Sequence, residues 1–269
     1  MANVCVILGG DRNVGLETAK YMPKEKIIVL SGRTVEVLQA AVETLRARGY
    51  TVFAKYCDVS KRNSVKELVQ FACGLGNVRN VIHAEDFTRR ALPAAIAQGI
   101  ALGTVYVNQE FSKVMKAGGV IVDVSSCEAY SLSAWDIPQK IYPLADTDEG
   151  LFLQSLLKKT EKIKEEEKRT EMAYALSKHF VVWYAKKCAF EYGEKGLRVV
   201  SVSLGLIAED EAEISEEVVL TTAEKRAGKA SEAGYLLATT ADERNGYLAG
   251  VDVLCDGGSV TRRKEFQKK

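Results

Sequence analysis

Short runs of consecutive apolar, mostly β-branched residues alternate along this chain with longer stretches whose apolar positions recur every three or four residues. The short runs are NVCVIL (3–8), KIIVLS (26–31), TVFAKYC (51–57), NVIHA (80–84), GVIVDVSS (119–126), RVVSVSL (198–204) and VDVLCDG (251–257). Each is continuous rather than alternating, as strands covered by helices on both faces should be. Between them, TVEVLQAAVETLRARG and SVKELVQFACGLG have helical spacing and close on glycine. The β-α-β-α order predicts a single doubly wound α/β domain over 1–269, with about seven parallel strands and helices on both faces. Its ligand belongs at the carboxyl ends of the strands. One segment breaks the alternation: 149–171, EGLFLQSLLKKTEKIKEEEKRTE, reads as an apolar start followed by a highly charged, solvated helix.

Composition narrows the function classes. With 47% hydrophobic and 27% charged residues, 269 residues can bury one large core. A formal charge of +1 excludes a global field toward nucleic acid or anionic lipid, and the basic tail Arg262-Arg263-Lys264 is too short to change that. The start MANVCVILGG has no secretory pattern and no apolar run is long enough to span a bilayer, so a cytoplasmic protein without nucleic-acid or membrane partners is expected. Six cysteines without a CxxC pair read as buried free thiols. The two histidines, His83 and His179, have no partner at metal-ligand spacing, and no metal is expected.

The candidate chemistry sits where strands end. LGGDRNVG (8–15) follows the first strand and opens a helix, so its glycines and the helix N-terminus could cradle a pyrophosphate; the same turn could serve packing alone. The second strand ends Ser31-Gly32-Arg33, without the carboxylate that would hold a ribose 2′-OH. Arg33 with Arg12 would form a cationic fork for a 2′-phosphate, or both are ordinary surface arginines. Tyr174 and Lys178 stand at i and i+4 on one helix face, where the ammonium lowers the phenol pKa and makes Tyr174 a usable general acid or base. Ser125 and Ser126 end the fifth strand, where a hydroxyl can bond a carbonyl oxygen as charge develops on it.

Taken together these residues resemble the short-chain dehydrogenase/reductase family over essentially the whole chain, a Rossmann-type fold. Leu8 to Gly15 match its TGxxxGxG turn, Asp58-Val59 its Asp-Val pair beside the adenine, Ser126, Tyr174 and Lys178 its Ser and YxxxK, and YLAGVDVLCDGG (247–258) its last strand and Asp-Gly-Gly turn. The resemblance implies hydride transfer between NADP(H), rather than NAD, and a carbonyl or secondary alcohol. Tyr174 would exchange the proton, Lys178 would tune Tyr174 and hold the nicotinamide ribose, and Ser126 would orient the carbonyl. It also implies cofactor contacts from Gly9, Asp11, Arg12, Asn13, Val14, Gly15, Arg33, Asp58, Val59, His83, Ala84, Glu85, Tyr174, Lys178, Leu204, Gly205 and Ile207, and a homodimer or homotetramer.

The departures are specific. Asn13 replaces the middle glycine of the turn, and Ile82-His83-Ala84-Glu85 replaces NNAG. Leu204-Gly205 replaces Pro-Gly, Glu209 stands for a frequent threonine, and Ile100 falls where the family has a relay asparagine. The 48 positions from Ser126 to Tyr174 exceed the common pattern. They resemble the insertion of the hydroxysteroid dehydrogenase/carbonyl reductase branch, a helical segment near 134–171 that would be either a lid or a surface element altering oligomer contacts. Tyr130, Trp135, Ile137 and Leu151 could line an apolar pocket there, suited to a medium-sized ketone or hydroxysteroid. The other reading is a dinucleotide-binding protein with little turnover, acting as a sensor or interaction module.

Overall fold

Residues buried on both faces of a sheet need helices above and below, and the seven apolar runs find them. A computed structural model describes residues 1–87, 91–208 and 221–263. The strands β1 (Asn3–Leu8), β2 (Ile27–Gly32), β3 (Thr51–Tyr56), β4 (Asn77–His83), β5 (Val120–Ser126), β6 (Arg198–Leu204) and β9 (Asp252–Cys255) form one sheet in the order β3-β2-β1-β4-β5-β6-β9. Every pairing is parallel. Two short strands, β7 (Ile207–Ala208) and β8 (Gly228–Lys229), pair with each other apart from it.

One face of the sheet is covered by α1 (Asn13–Tyr21), α2 (Val35–Arg46) and α8 (Ala230–Thr240), which bury Ala19, Leu38, Leu45 and Leu237 against Ile7, Ile28 and Leu30. The other carries α3 (Arg62–Leu75), α5 (Gly103–Ser112) and the long α7 (Glu166–Gly193), whose Phe180 and Tyr184 share a core with Phe111 and Val81. The helix leading into α5 begins at α4 (Pro93–Ile96) and passes through a π-helical stretch, Ala97–Leu102. The order reverses between β2-β1 and β4-β5, which opens the crevice at the carboxyl ends of β1 and β4.

Two strand ends differ from the pattern for local reasons. The fourth strand begins at Asn77 rather than Asn80, because Asn77 and Val78 already pair with Asn3 and Val4 before a register shift. The last stops at Cys255, because the Asp256 carboxylate accepts from the Gly258 and Val260 amides and turns the chain.

The charged segment is not one helix. A 3₁₀ stretch, Gln139–Asp146, and α6 (Glu149–Leu157) precede a turn at 158–165. The Thr160 hydroxyl and the Arg169 guanidinium close that turn by donating to the Leu157 and Ile163 carbonyls. The middle of the insertion is fixed to α3, α5 and α7: Tyr142 and Phe152 are fully buried against Phe180, Arg62 reaches Glu149, and Asp146 accepts from Gln109 and Tyr184. All six cysteines are free, but only four are buried, since Cys73 is exposed and Cys255 half-buried.

Candidate active site

The turn after β1 is built for close approach. A Cβ on Gly15 would stand 2.0 Å from the Gly9 oxygen, and one on Gly9 would stand 2.7 Å from the Ala84 oxygen and the Glu85 nitrogen. Asn13 takes the left-handed φ of 45° that its replaced glycine would have supplied at no cost. Arg12 makes no side-chain cap at the start of α1, and the first turn holds no acid. A glycine-lined turn opening onto an uncapped helix N-terminus fits the pyrophosphate of a dinucleotide.

Beyond that turn, Arg33 is already engaged. Its Nε donates to Glu85 Oε1 at 3.1 Å and its guanidinium lies 4.5 Å from the centre of the Phe87 ring. Arg12 is instead nearest Asp11, at 3.5 Å, and the buried Asp11 carboxylate packs where a side chain on Gly32 would stand. The Glu85 side chain is 8% exposed against 44% for Arg33. Burial drives the Glu85 pKa up to about 7 even though Arg33 pulls it down, with the charge of Asp11 adding to the rise. Phe87 fills the space over Gly99 in the π-helical stretch.

Of the remaining cofactor candidates, Ala84, Val14, Leu204 and Gly205 lie at the same edge of the sheet. The Ala84 amide donates to Leu8 and the Gly205 amide to Cys255, and Gly205 has no room for a Cβ beside Asp256. Asp58 is occupied within its own turn by the Ser60 amide and hydroxyl and by Lys61. Burial raises its pKa, but these hydrogen bonds outweigh that and hold it below the usual carboxylate value. Val59 is buried against Gly103. His83 is buried with its Nδ1 3.5 Å from Asp123, which also binds the Asn108 amide. Ile207 lines a separate cavity of about 200 Å³ with Leu206, Cys255 and Gly257. Glu209 and Lys264 lie outside the described residues.

Of the catalytic candidates, Tyr174 and Lys178 come together, and Ser126 ends the strand they face. Helical spacing places Lys178 Nζ 5.5 Å from the centre of the Tyr174 ring, on the face of α7 turned to the end of β5. Lys178 donates to the Val124 carbonyl at 3.2 Å, while Ser125 Oγ donates to the Lys178 carbonyl at 2.8 Å. Ser126 ends that strand, and its Oγ accepts from the Glu128 amide at 3.2 Å. A hydroxyl that accepts there can still donate its own proton. Ile100 is buried in the π-helical stretch and its carbonyl accepts from Thr104 Oγ1.

One residue at this site was missed from the sequence. Asp86 accepts from the Tyr174 hydroxyl at 3.2 Å through Oδ2 and pairs with Lys178 Nζ at 3.1 Å through Oδ1. The available signal was position, an acid three residues past the end of a strand bordering the crevice.

Tyr174 opens onto a cleft of about 450 Å³, a size suited to a small molecule. Leu132, Ile163 and Met172 supply its apolar lining and Glu128, Asp136, Lys168 and Glu171 its charge. Of the residues expected to line an apolar pocket, none does so. Trp135 is 88% exposed, Leu151 is exposed, Tyr130 turns away to Asp252 and Ile137 packs on the core. The bends that close the insertion put 131–136 and 163–172, rather than the large apolar side chains, beside Tyr174.

The molecule matches known proteins on the same lines. A short chain dehydrogenase family model matches residues 3–135, and an Enoyl-(Acyl carrier protein) reductase model matches 160–260. Short-chain dehydrogenase/reductase bsc3 of Alternaria brassicicola is 26% identical, covering 97% of each chain. Carbonyl reductase family member 4 of Xenopus laevis is 30% identical over 60% of this chain and 71% of its own. Among solved structures, a short-chain dehydrogenase/reductase from Serratia marcescens superposes with a TM-score of 0.76 at 19% identity, covering 96% of this chain and 98% of that one. A short chain dehydrogenase from Burkholderia cenocepacia in complex with NADP gives 0.75 at 18% identity, covering 96% and 97%. The chain belongs to the short-chain dehydrogenase/reductase family, and its seven-stranded parallel sheet with flanking helices is the fold of these structures. Among the described residues, no helix is long and apolar enough to cross a membrane, and no group of three or more His, Cys, Asp or Glu could hold a metal ion.

Proposed function

We propose that this protein is an NADP(H)-dependent oxidoreductase acting on the carbonyl or secondary alcohol of a medium-sized, largely apolar molecule, of ketone or hydroxysteroid type. The observation that carries the reading is the Tyr174 hydroxyl, with the Lys178 ammonium beside it on α7, at the mouth of the 450 Å³ cleft and next to the end of β5. The 30% identity to a carbonyl reductase family member and the apolar part of the cleft support the substrate class. The turn at 9–15 would hold the pyrophosphate, Arg33 and Arg12 a 2′-phosphate, and Lys178 the ribose.

A bound nicotinamide dinucleotide supplies the hydride in reduction and accepts it in oxidation. The remaining work falls to the chain. In reduction, Ser126 donates a hydrogen bond to the carbonyl oxygen, and Tyr174 gives that oxygen its proton as negative charge develops there. The tyrosinate left behind is stabilised by the Lys178 ammonium. The reading includes a single domain over 1–269, a cytoplasmic location, in keeping with six free cysteines, and a homodimer or homotetramer. Assembly is supported by the edge strand β9, whose neighbours Tyr247 and Val251 are exposed.

The pairing of Arg33 with Glu85 favours a second reading, a dinucleotide-binding protein with little turnover. One experiment separates the two: titration with NADPH and with NADH followed by nicotinamide fluorescence, then a screen of ketones and steroids. Tight NADPH binding, weakened in Arg33→Ala, with carbonyl reduction lost in Tyr174→Phe, is the expected result. Binding without turnover of any carbonyl selects the second reading, and binding of neither cofactor rejects both.

A further inference from the structure

Three ionisable groups meet on the face of α7 turned to the end of β5, and only two of them belong to the site as read from the sequence. Lys178 is 2% exposed, so its ammonium has lost most of its hydration and needs a fixed counter-charge. Asp86 provides one at 3.1 Å while its other oxygen takes the Tyr174 hydroxyl at 3.2 Å. The carboxylate is anchored from both directions along its loop. Glu85 on one side is tied to Arg33, and Phe87 on the other is wedged over Gly99.

The physical consequence concerns the phenol. An ammonium beside a tyrosine favours phenolate, and a carboxylate beside it favours the neutral phenol. A hydrogen bond from the hydroxyl to a carboxylate stabilises the protonated form further, because that bond is lost on ionisation. We propose that Asp86 is a further catalytic residue, which holds the Tyr174 proton and opposes Lys178, so setting the pH range in which Tyr174 can act as an acid. Glu128, Asp136, Lys168 and Glu171, from the 3₁₀ turn after β5, the loop that follows and the start of α7, line the cleft onto which Tyr174 opens and add to its field. Asp86 differs from them in bonding both the phenol and the ammonium. Glu85, next in the chain, is neutralised in part by Arg33.

The proposal rests on Tyr174 being the proton donor, so its test is made on the free protein, without cofactor or substrate. The protein is labelled at tyrosine Cζ with carbon-13 and the eleven tyrosine resonances are followed against pH, with Tyr174 assigned by its absence in Tyr174→Phe. In Asp86→Asn the midpoint of Tyr174 ionisation should fall by about one pH unit, and Asp86→Glu should restore part of it. The alkaline limb of kcat/KM for carbonyl reduction should move to lower pH in the same variant. Asp86 is more than half exposed, and the asparagine replacement preserves its shape, so a folded variant is expected. A midpoint that stays in place or rises in Asp86→Asn overturns the proposal. A midpoint that falls in a protein reducing no carbonyl leaves the charge relation standing and removes the proposed activity instead.

Discussion

Two ion pairs flank the crevice, and they are buried in opposite senses. At the end of β2 the acid is inside and the base outside: Glu85 is 8% exposed and Arg33 44%. At the catalytic end the base is inside and the acid outside: Lys178 is 2% exposed and Asp86 55%. Desolvation penalises the charged form of whichever partner is buried. The first pair is therefore labile near neutrality, because its acid takes up a proton at about pH 7. The second buries an ammonium held by a carboxylate and by the Val124 carbonyl. The same two kinds of charge thus face water in opposite order at the two ends of the crevice.

Substitutions test the contrast in order of size. At the catalytic end, Tyr174→Phe removes the proton donor and should lower kcat/KM by about 10² or more with little change in NADPH affinity, read by steady-state rates and fluorescence titration. At the β2 end, Arg33→Ala should leave kcat nearly intact and weaken NADPH about tenfold, about 1.4 kcal/mol, with little effect on NADH. An equal loss for both cofactors would mean that Arg33 supports the loop rather than a 2′-phosphate.

Glu85→Gln has a pH signature. A carboxyl whose pKa rises on folding binds more protons in the folded than in the unfolded state between its ordinary value, near 4.5, and about 7. Its contribution to stability is thus greatest below that window and is lost as pH rises through it. Urea unfolding should show wild type losing ground to Glu85→Gln between pH 5 and pH 8, and the variant should favour NADPH over NADH by several-fold more at pH 8. The smallest effect is expected at Asn13→Gly, where glycine accepts the positive φ without strain but costs unfolded-state entropy; the net change in urea unfolding should stay within about 1 kcal/mol.

The sheet was legible because its strands are continuous apolar runs between Gly- or Asp-marked turns, and β1 and β6 match their expected bounds residue for residue. Tyr174 and Lys178 were legible because helical periodicity alone puts them on one face. The partners of Arg33 and Lys178 were not. Glu85 and Asp86 follow a strand in a four-residue stretch without periodicity, and their contacts span 52 positions back to Arg33 and 88 forward to Tyr174. The break in the charged segment was hidden for a related reason. Its sequence keeps helical spacing, and the turn depends on Arg169 reaching back to Ile163.

The contact between Gly9 and the Ala84–Glu85 peptide bears on how such a protein can change over generations. With 2.7 Å between a would-be Cβ and that peptide, the path of the backbone is dictated at both positions, while nothing in the contact dictates which side chains leave the loop a residue later. Acids, amides or small residues could be tried at 85 and 86 on an unmoved scaffold. Inheritance of the shape is thereby separated from inheritance of the charge, and new chemistry can be sampled one codon at a time without first disturbing the fold.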